Sequence, residues 1–197
     1  MAKPKIILAS QSVQRQNLLK AAGVIFSSFA TDSDEKSIRT RDLSLRAQQI
    51  AQLKAKTAQS TFPEAVIIAA DTFVVLKNTV YEKPANLTEA KQMLRRFSGN
   101  TFSTYTGYAV VIPKTGKNYL GTIINTAQFR TLSEAEIDHY VKKNPVTTWA
   151  GGFSPAYDAG ANLIEWIEGS LTSFTHGLPM EIIIPVLEKV TSEATQK

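Results

Sequence analysis

Two long segments rich in β-branched and aromatic residues, Thr101 to Ile112 and Asn118 to Arg130, flank the cluster Pro113-Lys114-Thr115-Gly116. Proline and glycine between two such runs mark a turn, so the segments are expected to pair as a long antiparallel ribbon. A ribbon of that length has faces to bury, and the rest of the chain offers helices to cover them. Lys5 to Ala9 reads as a first strand, followed by a helix that Ser10 or Ser12 caps and Gly23 stops. Ile25 to Ala30 reads as a second strand and Thr31 to Thr40 as a polar loop. Asp42 is expected to cap a long helix to about Ser60, with Leu45, Ile50, Leu53 and Ala58 among its apolar positions. After Pro63 comes a strand from Ala65 to Ala70. Phe73 to Leu76 and Thr79 to Tyr81 form an expected hairpin around Lys77-Asn78. Thr88 is expected to cap a helix to Phe97. Ser133-Glu134-Ala135-Glu136 forms a capping box for a helix to Lys143. A glycine-rich loop spans Gly151 to Gly160, Leu163 to Ile167 reads as a strand, and Pro179 sits early in a final helix to about Val190. Helices, βα units and a long ribbon together predict the α/β class with a mixed sheet, formed by a single domain over residues 1–197.

Composition narrows the chemistry. With 43% hydrophobic and 20% charged residues, the 197-residue chain is too apolar for disorder. No apolar run approaches the roughly 20 residues that span a bilayer. The stretch Ile6 to Ala9 is too short for a secretory signal, so a cytoplasmic location is the default expectation. Cysteine is absent, which excludes disulfides, zinc–thiolate sites and thiol nucleophiles. His139 and His176 are far apart, leaving carboxylate sites for magnesium or manganese as the open class of metal chemistry. The net charge of +5 comes from scattered residues. No nucleic-acid motif accompanies it, and nucleic acid is not an expected partner. There is no P-loop, dinucleotide fingerprint or nucleophile elbow.

Asp71, after the apolar run Val66-Ile67-Ile68-Ala69-Ala70, is the foremost candidate. A carboxylate at the carboxyl end of a hydrophobic strand lies where open α/β sheets place their sites, and it can hold a divalent cation or orient water. A turn aspartate is the plainer alternative, but a lone carboxylate between two apolar runs favours function. In Leu8-Ala9-Ser10-Gln11-Ser12-Val13-Gln14-Arg15 a strand leads through two serines into a helix whose free N–H groups suit phosphate, with Arg15 one turn in. Taken alone, an ordinary serine cap accounts for that segment. Asp34-Glu35 could complete a magnesium site with Asp71, or could be a solvated acidic loop. Lys54 and Lys83 could neutralise phosphate charge, although each taken singly reads as a solvated lysine.

In order and spacing these segments resemble the Maf family, the septum formation proteins. The matching stretches are Leu8-Ala9-Ser10 through Leu18-Leu19, Ala69-Ala70-Asp71-Thr72, Glu82-Lys83-Pro84, Met93-Leu94 with Ser98-Gly99, Thr106-Gly107, Ala150-Gly151-Gly152, Ile167-Glu168-Gly169 and Gly177-Leu178-Pro179. They run from Ile6 to about Val190. The resemblance implies an elongated two-lobed fold with a central cleft, often dimeric. It also implies release of pyrophosphate from a nucleoside triphosphate with Mg²⁺ or Mn²⁺. By that likeness Asp71 would accept the proton and, with Glu35, hold the metal. Lys83 would act beside them, while Ser10, Ser12, Arg15 and Lys54 would handle the phosphates. Gln14, Thr72 and Tyr157 stand where base or substrate choice would be made. Two features depart from the family pattern. Gln14 stands where an arginine is usual, losing a charge and a bidentate fork. The segment Phe153-Ser154-Pro155-Ala156-Tyr157-Asp158-Ala159-Gly160 also lacks the glutamine that members acting on dTTP and UTP carry. A catalytically weakened nucleotide-binding protein regulating division is therefore the alternative expectation.

Overall fold

The computed structural model describes residues 4–195. Among them a mixed sheet runs in the order β2-β1-β3-β5-β6-β7, with a further strand, β4, paired to β3. The strands are β1 (Ile6–Leu8), β2 (Ser27–Ser28), β3 (Val66–Leu76), β4 (Thr79–Tyr81), β5 (Thr101–Ile112), β6 (Lys117–Phe129) and β7 (Ile164–Glu168). The helices are α1 (Val13–Ala21), α2 (Leu43–Thr61), α3 (Leu87–Phe97), α4 (Glu134–Lys143), α5 (Asp158–Ala161), α6 (Leu171–His176) and α7 (Met180–Thr195). Strands β1 and β2, and β1 and β3, pair in parallel, whereas β3–β4 and β6–β7 are antiparallel. This is the mixed α/β architecture that the alternation of patterns predicts.

The chain forms two compact units, and β3, β5 and β6 contribute residues to both. The first comprises Met1–Asp71, Thr106–Ile123 and Gly177–Lys197. Its β1, β3 and the end of β5 are buried on both faces, and period-two alternation divides their side chains into two cores. Ile6, Leu8, Val66, Ile68, Ala70 and Val110 pack with Leu19 of α1 and with Ile183 and Leu187 of α7. Ile7, Ala9, Ile67, Ala69, Ala109 and Val111 pack against Ala51, Ala55 and Ala58 of α2. The alanine stripe lets α2 lie close to the sheet. At Gly107 the approach is so close that a Cβ would stand 1.9 Å from the Ala47 carbonyl oxygen.

The second unit comprises Thr72–Tyr105 and Ile124–His176. Its core is aromatic: Phe97, Phe102, Phe129 and Phe153 pack with ring centroids 4.9 to 5.8 Å apart. That spacing is the usual one for edge-to-face and offset pairs.

Local cap chemistry matches expectation at Ser12, at Asp42 and at the Ser133–Glu136 capping box. Four readings change. Asn86, not Thr88, caps α3, its side chain accepting from the Glu89 N–H. Only Ser27–Ser28 of the expected second strand pairs with the sheet. A short helix, α5, interrupts the glycine-rich loop, and α6 forms between β7 and Gly177. Finally, β3 does not end at Ala70. It runs unbroken through Asp71 and Thr72 to Leu76, and those two are its only positions that are not buried. A carboxylate is accommodated inside this strand because a cation meets it there.

Candidate functional site

Asp71 has the same parity along β3 as Ile67 and Ala69, so its side chain leaves on the α2 face. On α2, Lys54 lies three residues after Ala51 and four before Ala58, on the stripe that packs on the sheet. Its ammonium reaches Asp71. The Lys54 Nζ donates to Asp71 Oδ1 at 2.7 Å and lies 3.1 Å from Glu35 Oε1. Glu35 opens a short 3₁₀ turn, Glu35–Ser37, within the expected polar loop. Side-chain exposure is 14% for Lys54, 18% for Asp71 and 42% for Glu35, so the acidic pair is shielded on one side and open on the other.

Arg15 lies in the same unit, buried in the first turn of α1. Its Nε donates to the Gly177 carbonyl at 2.9 Å, and its Nη1 donates to the Ala70 carbonyl at 2.8 Å and to Ser10 Oγ at 3.1 Å. The β1 ladder ends where the Ala9 N–H donates to Ile68. Arg15 takes the next carbonyl on, at Ala70, next to Asp71. Burial pulls its guanidinium pKa down, while the carboxylates of Asp71 and Glu35 hold it up. The four formal charges of Arg15, Lys54, Glu35 and Asp71 cancel.

The α1 entrance is ordered by its own side chains. The Ser12 N–H donates to Ser10 Oγ at 3.2 Å, Ser12 Oγ accepts from the Arg15 N–H at 3.5 Å, and Ser12 Oγ donates to Gln14 Oε1 at 3.0 Å. Ser10, Ser12, Gln14, Arg15, Glu35, Lys54 and Asp71 therefore all lie in the first unit, with Arg15, Lys54, Glu35 and Asp71 linked by contact or charge. Thr72, Lys83 and Tyr157 belong to the second unit. There Lys83 is exposed just after β4. Tyr157 stacks on Trp149 with centroids 5.4 Å apart. The segment leading to it is pinned by a Ser154 N–H bond of 3.2 Å to the Tyr140 hydroxyl, whose pKa burial pushes up to about 12.

Two carboxylates converging on one ammonium provide hard oxygen donors suited to a magnesium-sized cation, which commonly takes one or two carboxylates and completes its shell with water and substrate phosphate. The donor chemistry of Asp71 and Glu35 is of the type such an ion takes, and in the structure the Lys54 ammonium meets both carboxylates. Among the described residues no group of three or more His, Cys, Asp or Glu side chains is placed to hold a metal ion by itself.

The carbonyls of Ala70 and Gly177 were not among the expected site groups. Backbone acceptors leave no mark in sequence, but a lysine on the buried stripe of α2 does, and that pattern points to Lys54.

Residues 5–190 match a family model described as Maf-like protein. Curated relatives named dTTP/UTP pyrophosphatase include one from Deinococcus radiodurans, 36% identical over 93% of this chain and 92% of its own length. Another, from Pyrococcus furiosus, is 35% identical over 93% of this chain and 94% of its own. A third, from Syntrophus aciditrophicus, is 33% identical over 98% of this chain and 93% of its own. Among the described residues no helix is long and apolar enough to cross a membrane.

Proposed function

The chain belongs to the Maf-like protein family, and on that premise we propose that it hydrolyses a nucleoside triphosphate to the monophosphate and pyrophosphate. The observation that carries the proposal is the Glu35–Lys54–Asp71 group, two carboxylates sharing one lysine at 3.1 and 2.7 Å. Water attacks the α-phosphorus, the bond from that phosphorus to the bridging oxygen of the β-phosphate breaks, and pyrophosphate leaves with the electron pair. Asp71 accepts the proton of the attacking water. Lys54 orients the Asp71 carboxylate and is placed to offset negative charge on the phosphates. A divalent cation held by Asp71 and Glu35 would supply further charge neutralisation and orient the phosphate chain. Arg15 fixes the carbonyl of Ala70, and through it the backbone beside Asp71, so we assign it a positioning role. Ser10 and Ser12 order the α1 entrance, where helix N–H groups suit a phosphate oxygen.

The names of the relatives place dTTP and UTP first in a substrate panel. Pyrophosphate release would be measured from these and from other canonical and modified triphosphates in the presence of Mg²⁺. Turnover of at least one of them is expected. Tight binding of a triphosphate with no turnover under any metal would replace this reading with that of a nucleotide-binding regulator. One observation favours that second reading: Gln14 stands in place of an arginine and its amide oxygen is tied to Ser12, so the α1 entrance carries one cation fewer.

A further inference from the structure

An open surface pocket of about 400 Å³ lies in the second unit between the β3–β4 hairpin and the end of α3. Its lining includes Leu76, Lys77, Thr79, Tyr81 and Arg96, and it contains no acidic side chain. The neighbouring Arg95 also lines it, but both Nε and Nη2 of that guanidinium bond the Glu134 carboxylate at 2.7 to 3.0 Å. Arg96 is different. Its one hydrogen bond is a 3.5 Å contact from Nη1 to the Tyr81 hydroxyl, and neither Arg96 nor Lys77 is paired with a carboxylate among the described residues.

The hairpin adds an independent observation. Leu76 pairs with Thr79, leaving a two-residue loop whose members both have positive φ, 48° at Lys77 and 64° at Asn78. Such turns favour asparagine or glycine, and a lysine there adopts a backbone conformation that its Cβ disfavours. The residue works against local preference, and its gain is an ammonium at the pocket. Leu76 and Tyr81, from the same hairpin, also line it but are themselves only 5% and 8% exposed, so charge rather than apolar surface sets what the pocket can hold.

We propose that this pocket binds a small organic phosphate, its anionic head on Arg96 and Lys77 and its polar body toward Thr79 and Asn100. A guanidinium fork and an ammonium match phosphate oxygens, and the volume falls within the range of small-ligand sites and exceeds what a bare ion fills. The site is distinct from the Glu35–Lys54–Asp71 group, and its occupancy does not depend on the proposed hydrolysis.

The test titrates the full chain, in EDTA so that metal-bridged phosphate binding elsewhere does not intervene, with UMP, ribose 5-phosphate and inorganic phosphate while following backbone amide resonances. Saturable shifts at Thr79, Tyr81, Arg96 and Asn100 are expected, with both organic phosphates binding more tightly than the inorganic ion. A preference for UMP over ribose 5-phosphate would identify the source as a nucleotide, and parity would identify a phosphorylated sugar. Arg96→Gln should weaken binding roughly tenfold, the loss of one charge-assisted contact. Lys77→Gly should weaken binding while raising the unfolding temperature, because glycine relieves the positive φ. Absence of saturable shifts there overturns the proposal, as does unchanged affinity in Arg96→Gln. Tighter binding of a short oligonucleotide at the same resonances would overturn the small-molecule assignment.

Discussion

Replacing Arg15 by alanine should unfold the first unit more easily, and the structure gives the size of the effect. The substitution leaves the Ala70 and Gly177 carbonyls, both in buried residues, without their guanidinium donor. An orphaned buried acceptor costs about 1–3 kcal/mol, so two carbonyls give a gross loss of about 2–6 kcal/mol. Release of a charge held out of water offsets part of this, since burial already pulls the Arg15 pKa down. The net expectation is a loss of about 3 kcal/mol, or roughly 6–12 °C in Tm for a chain of this size. Arg15→Lys keeps a charge but cannot span both carbonyls, and should fall between wild type and Arg15→Ala. Urea unfolding followed by circular dichroism measures the difference, with thermal melts as a check. A loss below about 0.5 kcal/mol for Arg15→Ala, the scale of an ordinary surface change, would refute the view that Arg15 holds these segments together.

Gly107→Ala should abolish folding or cost well over ~3 kcal/mol, because the new Cβ meets the Ala47 backbone at 1.9 Å and neither β5 nor α2 can yield without losing its core; expression yield and urea midpoint report it. Glu136 has its pKa lowered from 4.5 to about 2 by the Ser133 N–H, the Ser133 hydroxyl and Arg130. A depressed folded-state value means that its contribution is present above pH 4.5 and is lost as pH falls towards 2. Glu136→Gln should therefore flatten the stability–pH curve across that window and leave its shape near neutrality unchanged. Removing divalent cations with EDTA should stop pyrophosphate release, and added Mg²⁺ should restore it; full activity in EDTA would dismiss Asp71 and Glu35 as metal holders.

The parts of the fold that were legible in sequence are those fixed by neighbours along the chain. Ser12, Asp42 and the Ser133–Glu136 pair cap their helices through residues three positions away. The long β5 and β6 strands are marked by composition and by the Pro113–Gly116 turn. What was not legible depends on distant partners. The pair Asp71-Thr72 reads as a strand end because a carboxylate inside an apolar strand is costly unless paired, and its partner lies on α2. Of the acceptors of Arg15, only Ser10 Oγ is near in sequence; the two carbonyls are 55 and 162 residues away and are backbone atoms, invisible to any reading of side chains. Asn86 and Thr88, two positions apart, are both competent caps for α3, and only the geometry of entry into the helix, which selects Asn86, separates them.

The central claim is that Asp71 performs the chemistry, with Lys54 setting its carboxylate. The most direct measurement is single-turnover pyrophosphate release at saturating dTTP or UTP with Mg²⁺, comparing wild type with Asp71→Asn. The substitution preserves shape but removes the proton acceptor and the negative charge. The rate should fall by at least about 100-fold, the usual contribution of a general base, while the unfolding midpoint stays near that of wild type. An Asp71→Asn protein that releases pyrophosphate at the wild-type rate would contradict the account.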